Sequence, residues 1–288
     1  MTEAELFVEQ GRAFDNDGDV ASAEASYRRA AALSPEWSVP HYNLGLLFKY
    51  QGRWAESLSF NQRAAALDPD DEAAWWNLGI AATAVKDWAE ARRAWLACGM
   101  EAPAGSGPPN FAFGLVPIRL DPNGNGEVVW ADRIDPARAK ILSIPLPTNP
   151  HNHGAIVLTD GAVEGYRIVG ERKYSVFNML DVISPSPLKK YIVELATANA
   201  EAIDALASCA EELGGAAEDW GSTTHILCAE CSRGTPHEHP GADGKPAHPH
   251  CGLAARDGDH AGTIVRTWLS RHPRADFVRW TDANSSAT

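Results

Sequence analysis

The chain has 288 residues, room for about two domains, and at 44% hydrophobic and 22% charged its composition is that of an ordinary globular protein. A net charge of −13 without any basic stripe disfavours nucleic acid and anionic membrane surfaces as partners, and no apolar run approaches the ~20 residues of a membrane span. The five cysteines are odd in number and clustered, which argues against a secreted disulfide framework. The opening MTEAELFVEQ lacks the basic start of a signal peptide, so a cytoplasmic protein is expected. The acidic field would steer a basic protein partner, and it also confers solubility.

A period of 34 residues runs through the first third. Gly11, Gly45 and Gly79 share it, as do Pro35, Pro69 and Pro103. Small residues recur in step at Ala23, Ser57 and Ala91, and again at Ala30, Ala64 and Cys98. Bulkier ones stand at Phe7, His41 and Trp75, and at Tyr27, Asn61 and Trp95. Two of the three units keep an Asn-Leu-Gly triplet. This pattern resembles the tetratricopeptide repeat over about residues 4–103, as three pairs of helices. The physics agrees: small residues permit close helix packing, each Pro ends a helix, and stacking buries the apolar face that one hairpin leaves open.

The resemblance implies a concave groove lined by the first helix of each repeat. Position by position it selects Val8 and Arg12, then Tyr42, Asn43, Leu46 and Lys49, then Trp76, Asn77, Ile80 and Thr83. Asn43 fits the pattern by which some members hold a terminal carboxylate, whereas Val8, Ala73 and Asn77 depart from it. An apolar, aromatic groove suits a helix or an extended segment from another protein. Alternatively, Tyr42, Trp76 and Ile80 are covered by this same chain. After Pro103 the stretch AGSGPPN cannot form the polar helix that finishes many arrays, so the third repeat, with Trp88 and Trp95, is expected to dock on the next domain of the chain.

A linker at 104–111 precedes a change of period. Six short runs (LVPIRL, EVVWADRI, AKILSIPLP, AIVLTDG, GYRIV and YSVFNMLDVI) alternate with turn residues, among them Asp160-Gly161, and suggest a small antiparallel barrel or curled sheet over 112–186. His151 and His153 read as solvated turn residues, and Asp132 and Asp135 as capping or turn residues. Over 187–282 the order strand KYIVELAT, helix, strand STTHILCAE, strand CGLAARD, helix, strand ADFVRW is that of a ferredoxin-like βαββαβ sandwich. Ile203, Leu206, Ala207, Ala210 and Leu213 form one helical stripe. Ala261, Ile264, Val265, Trp268 and Leu269 form the other, with Asp259 as its cap and Pro273 its stop. The fold class is thus helical repeats followed by an α+β region, with 283–288 a disordered tail.

Residues 228–251, CAECSRGTPHEHPGADGKPAHPHC, hold three of the five cysteines and four of the ten histidines. Four readings compete. Structural zinc would draw on Cys228 and Cys231, whose C-x2-C spacing grips one tetrahedral ion, with ligands added from His237, His239, His248, His250 and Cys251. In a second reading Cys228 and Cys251 pack in the core and the histidines are solvated. Thioredoxin-type chemistry needs a helix after the thiols, and S-R-G-T-P stands there instead. An open zinc with Glu230 or Glu238, or a Cys231 nucleophile, lacks the H-E-x-x-H and deaminase spacings.

The sequence therefore favours a protein-binding adaptor, an assembly factor or a neutralising partner, working through the groove. The rivals are a metal- or thiol-dependent enzyme at the Cys/His hairpin and a ligand-sensing module.

Overall fold

In a computed structural model the described residues are 1–124, 126–197, 199–223 and 250–283. Six helices open the chain: α1 Glu3–Asn16, α2 Val20–Leu33, α3 Ser38–Tyr50, α4 Trp54–Leu67, α5 Glu72–Ala84 and α6 Trp88–Ala97. They pack as three successive hairpins. Thr2 and Glu5 close a reciprocal capping box on α1, and Asp19, Asp71 and Asp87 cap α2, α5 and α6.

The 34-residue period has a direct steric cause. A Cβ on Gly11 would collide with the Tyr27 ring, one on Gly45 with the Asn61 amide, and one on Gly79 with the Trp95 indole. Each hairpin thus closes by lowering one large side chain onto a bare backbone. Bulky residues at the other repeated position tie the hairpin entrance: His41 reaches the Pro35 carbonyl at 3.1 Å, and the Trp75 indole N–H donates to the Pro69 carbonyl at 2.9 Å. The third unit departs from the pattern. Its second helix ends at Ala97, well before Pro103, because Gly99 turns left-handed at φ 76° and the Gly99 and Met100 amides close on Leu96 and Trp95.

Residues 1–112 form one compact unit together with two short segments, 134–138 and 158–161. Arg92 ties the linker to α6 through the carbonyls of Pro103 and Gly107. In the 134–138 segment the Asp135 carboxylate accepts from the Ala137 and Arg138 amides and from Arg138 Nε. The Arg138 guanidinium also donates to the Pro109 carbonyl and lies 4.8 Å from the Trp88 ring. Of the two tryptophans expected to face the next domain, Trp88 meets Arg138. Trp95 is buried within the array itself, edge-on to Trp76.

The remainder forms the second unit. A first sheet, to which the first unit contributes Arg138 and 158–161, has strand order β1-β2-β3-β4-β5 and closes on itself: β1 Gly114–Arg119, β2 Val128–Arg133, β3 Arg138–Ile141, β4 Ile156–Val169 and β5 Arg172–Ser184. Five strands replace the expected six. Asp160-Gly161 is no turn, because β4 runs straight through it. Nor is the sheet wholly antiparallel, since β1 closes against β5 in parallel through Ile118 and Phe177. The run at 139–147 is a strand only as far as Ile141, and residues 142–155 form a loop. Ile118, Leu120, Val129, Ala131, Ile141, Val157 and Phe177 fill the interior.

The second sheet has order β7-β8-β6-β9: β6 Lys189–Leu195, β7 Ala216–Asp219, β8 His250–Ala255 and β9 Phe277–Asp282, all antiparallel. Helices α7 Ala200–Glu212 and α9 Gly258–Arg271 pack on it through Ile203, Leu206, Ile264, Val265 and Trp268; the short α8 is Trp220–Thr223. Two expectations move. The second strand is AAED at 216–219, which starts directly after the Gly214-Gly215 stop, while Ser222 and Thr223 belong to α8 and 224–230 lies outside the described residues. The helix cap is Asp257, not Asp259; its carboxylate accepts from the His260 amide at 2.8 Å. Of the expected tail, Ala283 is buried and 284–288 lies outside the described residues. No described helix is long and apolar enough to cross a membrane.

Gly79→Ala tests the steric account of the repeat. It should cost about 1–3 kcal/mol in urea denaturation, the range for overpacking a filled core, and Gly79→Ala with Trp95→Leu should recover most of that loss.

Candidate functional site

The first helix of each hairpin, α1, α3 and α5, carries the residues that the repeat pattern selects. Val8, Asn43, Lys49, Asn77, Ile80 and Thr83 are buried, Tyr42, Leu46 and Trp76 are half-buried, and Arg12 is exposed and paired with Glu9 at 2.8 Å. Spacing alone brings them together: successive first helices present the same face at each 34-residue step.

Their partners were not legible in the repeat. Lys49 Nζ lies 3.2 Å from both carboxylate oxygens of Asp160 and donates to Asn77 Oδ1 at 3.0 Å. The Tyr50 hydroxyl donates to Asp160 Oδ2 at 3.0 Å, and the Lys49 ammonium stands 4.4 Å from the Tyr50 ring. Lys49 and Asp160 are only 4% and 5% exposed. Burial pulls the Lys49 ammonium below its usual range, and the Asp160 charge opposes that pull. Trp76 lies so close to the backbone of β4 that a Cβ at Gly161 would overlap its indole. The glycine there serves a close approach. Residues 160–161 of the same chain therefore lie against Lys49, Tyr50 and Trp76.

Two buried donors on these helices are not satisfied. Asn43 is 9% exposed, yet its Nδ2 donates to nothing among the described residues, and the same holds for the indole N–H of Trp76. Tyr42 is half-buried beside Asn77, with burial raising its hydroxyl pKa. Buried donors left without acceptors are costly, and they mark places where an acceptor fits.

A second polar cluster pins the 142–155 loop. The Lys190 ammonium, 3% exposed, donates to the carbonyls of Leu146 at 2.7 Å and Asn149 at 2.8 Å. Glu127 accepts from the Leu146 amide at 3.0 Å and from Asn149 Nδ2 at 2.9 Å, with burial raising its pKa. His151 and His153 are half-buried here, not solvated, and burial lowers both; a ring nitrogen of His153 meets the Leu142 carbonyl at 2.7 Å. Lys190 has its donors committed to carbonyls, so it acts as a clamp for the loop. Trp220 extends the clamp, its indole N–H donating to the Ile144 carbonyl at 2.8 Å.

Of the proposed metal ligands, Cys228, Cys231, His237, His239 and His248 lie outside the described residues. His250 starts β8 opposite Glu194, and Cys251 sits in the core between Val193 and Asp219 in register, where burial lifts its thiol to about 12. Cys251 is thus buried among the apolar side chains beneath the second sheet. No group of three His, Cys, Asp or Glu side chains among the described residues is placed to hold a metal ion.

Burial depresses Lys190 from 10.5 to about 8. Between these values the unfolded chain binds a proton that the native chain does not, so stability rises with pH across that window; below about 8 both states are charged and the burial cost is undiminished. From roughly pH 8 to 9.5 the urea midpoint of the wild type should climb relative to that of Lys190→Met, and parallel curves would refute this assignment.

No family model matches the chain, and no curated protein matches it. Solved structures similar to its N-terminal third are tetratricopeptide domains. The TPR2B domain of yeast Sti1, in a complex with pHsp70, is 22% identical over 33% of this chain and 76% of that one, with a TM-score of 0.32. The second such domain of Spaghetti (RPAP3), bound to an HSP90 peptide, is 20% identical over 33% of this chain and 89% of that one, at 0.32. The Arabidopsis OM64 domain is 19% identical over 33% and 82%, at 0.31.

Proposed function

We propose that this protein is a binding protein, an adaptor or assembly factor, that takes up a segment of another protein along the concave face of its helical array. The observation that carries the reading is Asn43: a buried amide at a groove-facing position whose Nδ2 has no acceptor among the described residues. Tyr42 and Leu46 flank it as half-buried side chains able to cover an incoming segment. A net charge of −13 favours a partner with a basic surface, including one that the protein neutralises. The rest of the chain serves as a support. The closed ring of β1–β5 supports reading 112–186 as a small barrel, and the order β7-β8-β6-β9 with two helices supports reading 187–282 as a ferredoxin-like sandwich.

A protein captured by the wild type in its own cells, then purified and titrated, should bind at least about tenfold more weakly to Asn43→Ala with Tyr42→Ala. Arg63→Ala, which removes the exposed pair with Glu36, is the control. Affinity indifferent to both groove changes in a folded variant would sink the reading.

A structural zinc in the 228–250 stretch is a second proposal, resting on the C-x2-C spacing of Cys228 and Cys231 and the four histidines after it. One of His237 or His239 and one of His248, His250 or Cys251 would complete the set. Purified protein should carry about one zinc per chain, lost in Cys231→Ser. Metal-free protein of full stability would end that proposal.

A further inference from the structure

The Lys49–Asp160 pair is an odd device for stability alone. Two buried ions cost more to desolvate than a packed apolar pair of the same size, and such substitutions are often neutral or stabilising. Here the pair lies at a groove-facing position, and the chain that supplies Asp160 is a strand, residues 158–161, laid against the helices as an extended ligand would be. It satisfies part of what the groove offers. Lys49, Asn77 and Tyr50 all find their partners in or beside the Asp160 carboxylate, whereas Asn43 Nδ2 and Trp76 Nε1 do not. Gly161 is what lets the segment approach at all, since any side chain there would strike Trp76.

We propose that residues 158–161 are an internal pseudo-ligand, and that the groove's external ligand is an extended peptide segment whose carboxylate replaces Asp160 on Lys49 and Tyr50. This rests on the groove-binding reading above and adds its regulation. The external segment binds only the fraction of molecules in which Asp160 has left, so the free affinity is reduced by that fraction. A competitor that also reaches Asn43 or Trp76 gains hydrogen bonds that the internal segment lacks. One carboxylate at one buried position is compatible with a partner whose surface is basic overall, because the long-range field and the local contact act at different distances.

The test uses the full chain and a labelled, acetylated and amidated heptapeptide copying residues 156–162, with its aspartate or with asparagine in that place. Binding is read by fluorescence anisotropy. Asp160→Asn removes the internal charge, and Gly161→Ala independently forces the segment off Trp76. Each folded variant should bind the aspartate peptide about tenfold tighter than the wild type does, as the competent fraction rises. The asparagine peptide should bind poorly, and adding Lys49→Met should abolish the gain. Should Asp160→Asn fail to fold, Gly161→Ala decides alone; if neither folds, the segment is plain architecture and the proposal falls. It falls equally if both variants bind no tighter than the wild type, or if the two peptides bind alike. A cellular partner that depends on Asn43 but ignores Asp160→Asn and Gly161→Ala overturns the pseudo-ligand alone. Peptide binding that responds to Asp160 and Lys49 while every partner ignores Asn43 overturns only the broader groove reading.

Discussion

Lys49 and Asp160 are 111 residues apart in the chain and meet where water hardly reaches. Removing either ion alone from that position would cost several kcal/mol, which biases both stretches toward this packing. Asn77 and Tyr50 complete the coordination, which commits α3, α5 and β4 at once. Around this contact the remaining features fall into order. Trp76 closes on Gly161, Trp95 closes on Gly79, and the two indoles meet edge to face with ring centroids 5.4 Å apart.

The same economy recurs where loops must be held. Asp135 gathers two amides and the Arg138 side chain, and Arg138 passes the restraint to Pro109 and Trp88. Lys190 and Glu127 share the backbone of Leu146 and the two ends of Asn149 between them, the cation on carbonyls and the carboxylate on donors. In each case a buried charge is used because loop backbone has polar groups that no regular ladder satisfies. These clamps are local in the fold, but several of their contacts are distant in sequence, and single-sequence patterns carry no trace of those.

The helical repeats were legible because their cause is periodic. A bare Gly facing a large side chain sixteen residues later has to recur wherever the hairpin recurs, so the spacing exposes the contact. The β-rich stretch was less legible. Asp160-Gly161 has the composition of a turn, yet it lies inside β4, because the glycine answers a tryptophan eighty-five residues earlier and not a local reversal. AAED lacks the alternating apolar signal of a strand and still forms β7, since Gly215 lets the chain run against the Ala254 backbone. The repeat pattern selected Lys49 and Asn77, but not Tyr50 or the distant Asp160 that meets Lys49.

What the sequence determined by itself is the part governed by neighbours along the chain: the three helical hairpins and the apolar stripes of α7 and α9, with Ala202 and Cys209 in place of Ala207 on α7. Local periodicity and close packing of near neighbours suffice for these. Tertiary structure alone decided that Asp160 meets Lys49, that Cys251 is buried in the core, and that Lys190 is a loop clamp. Each of those depends on which distant backbone or carboxylate arrives beside a buried polar group, and burial makes that choice energetically decisive.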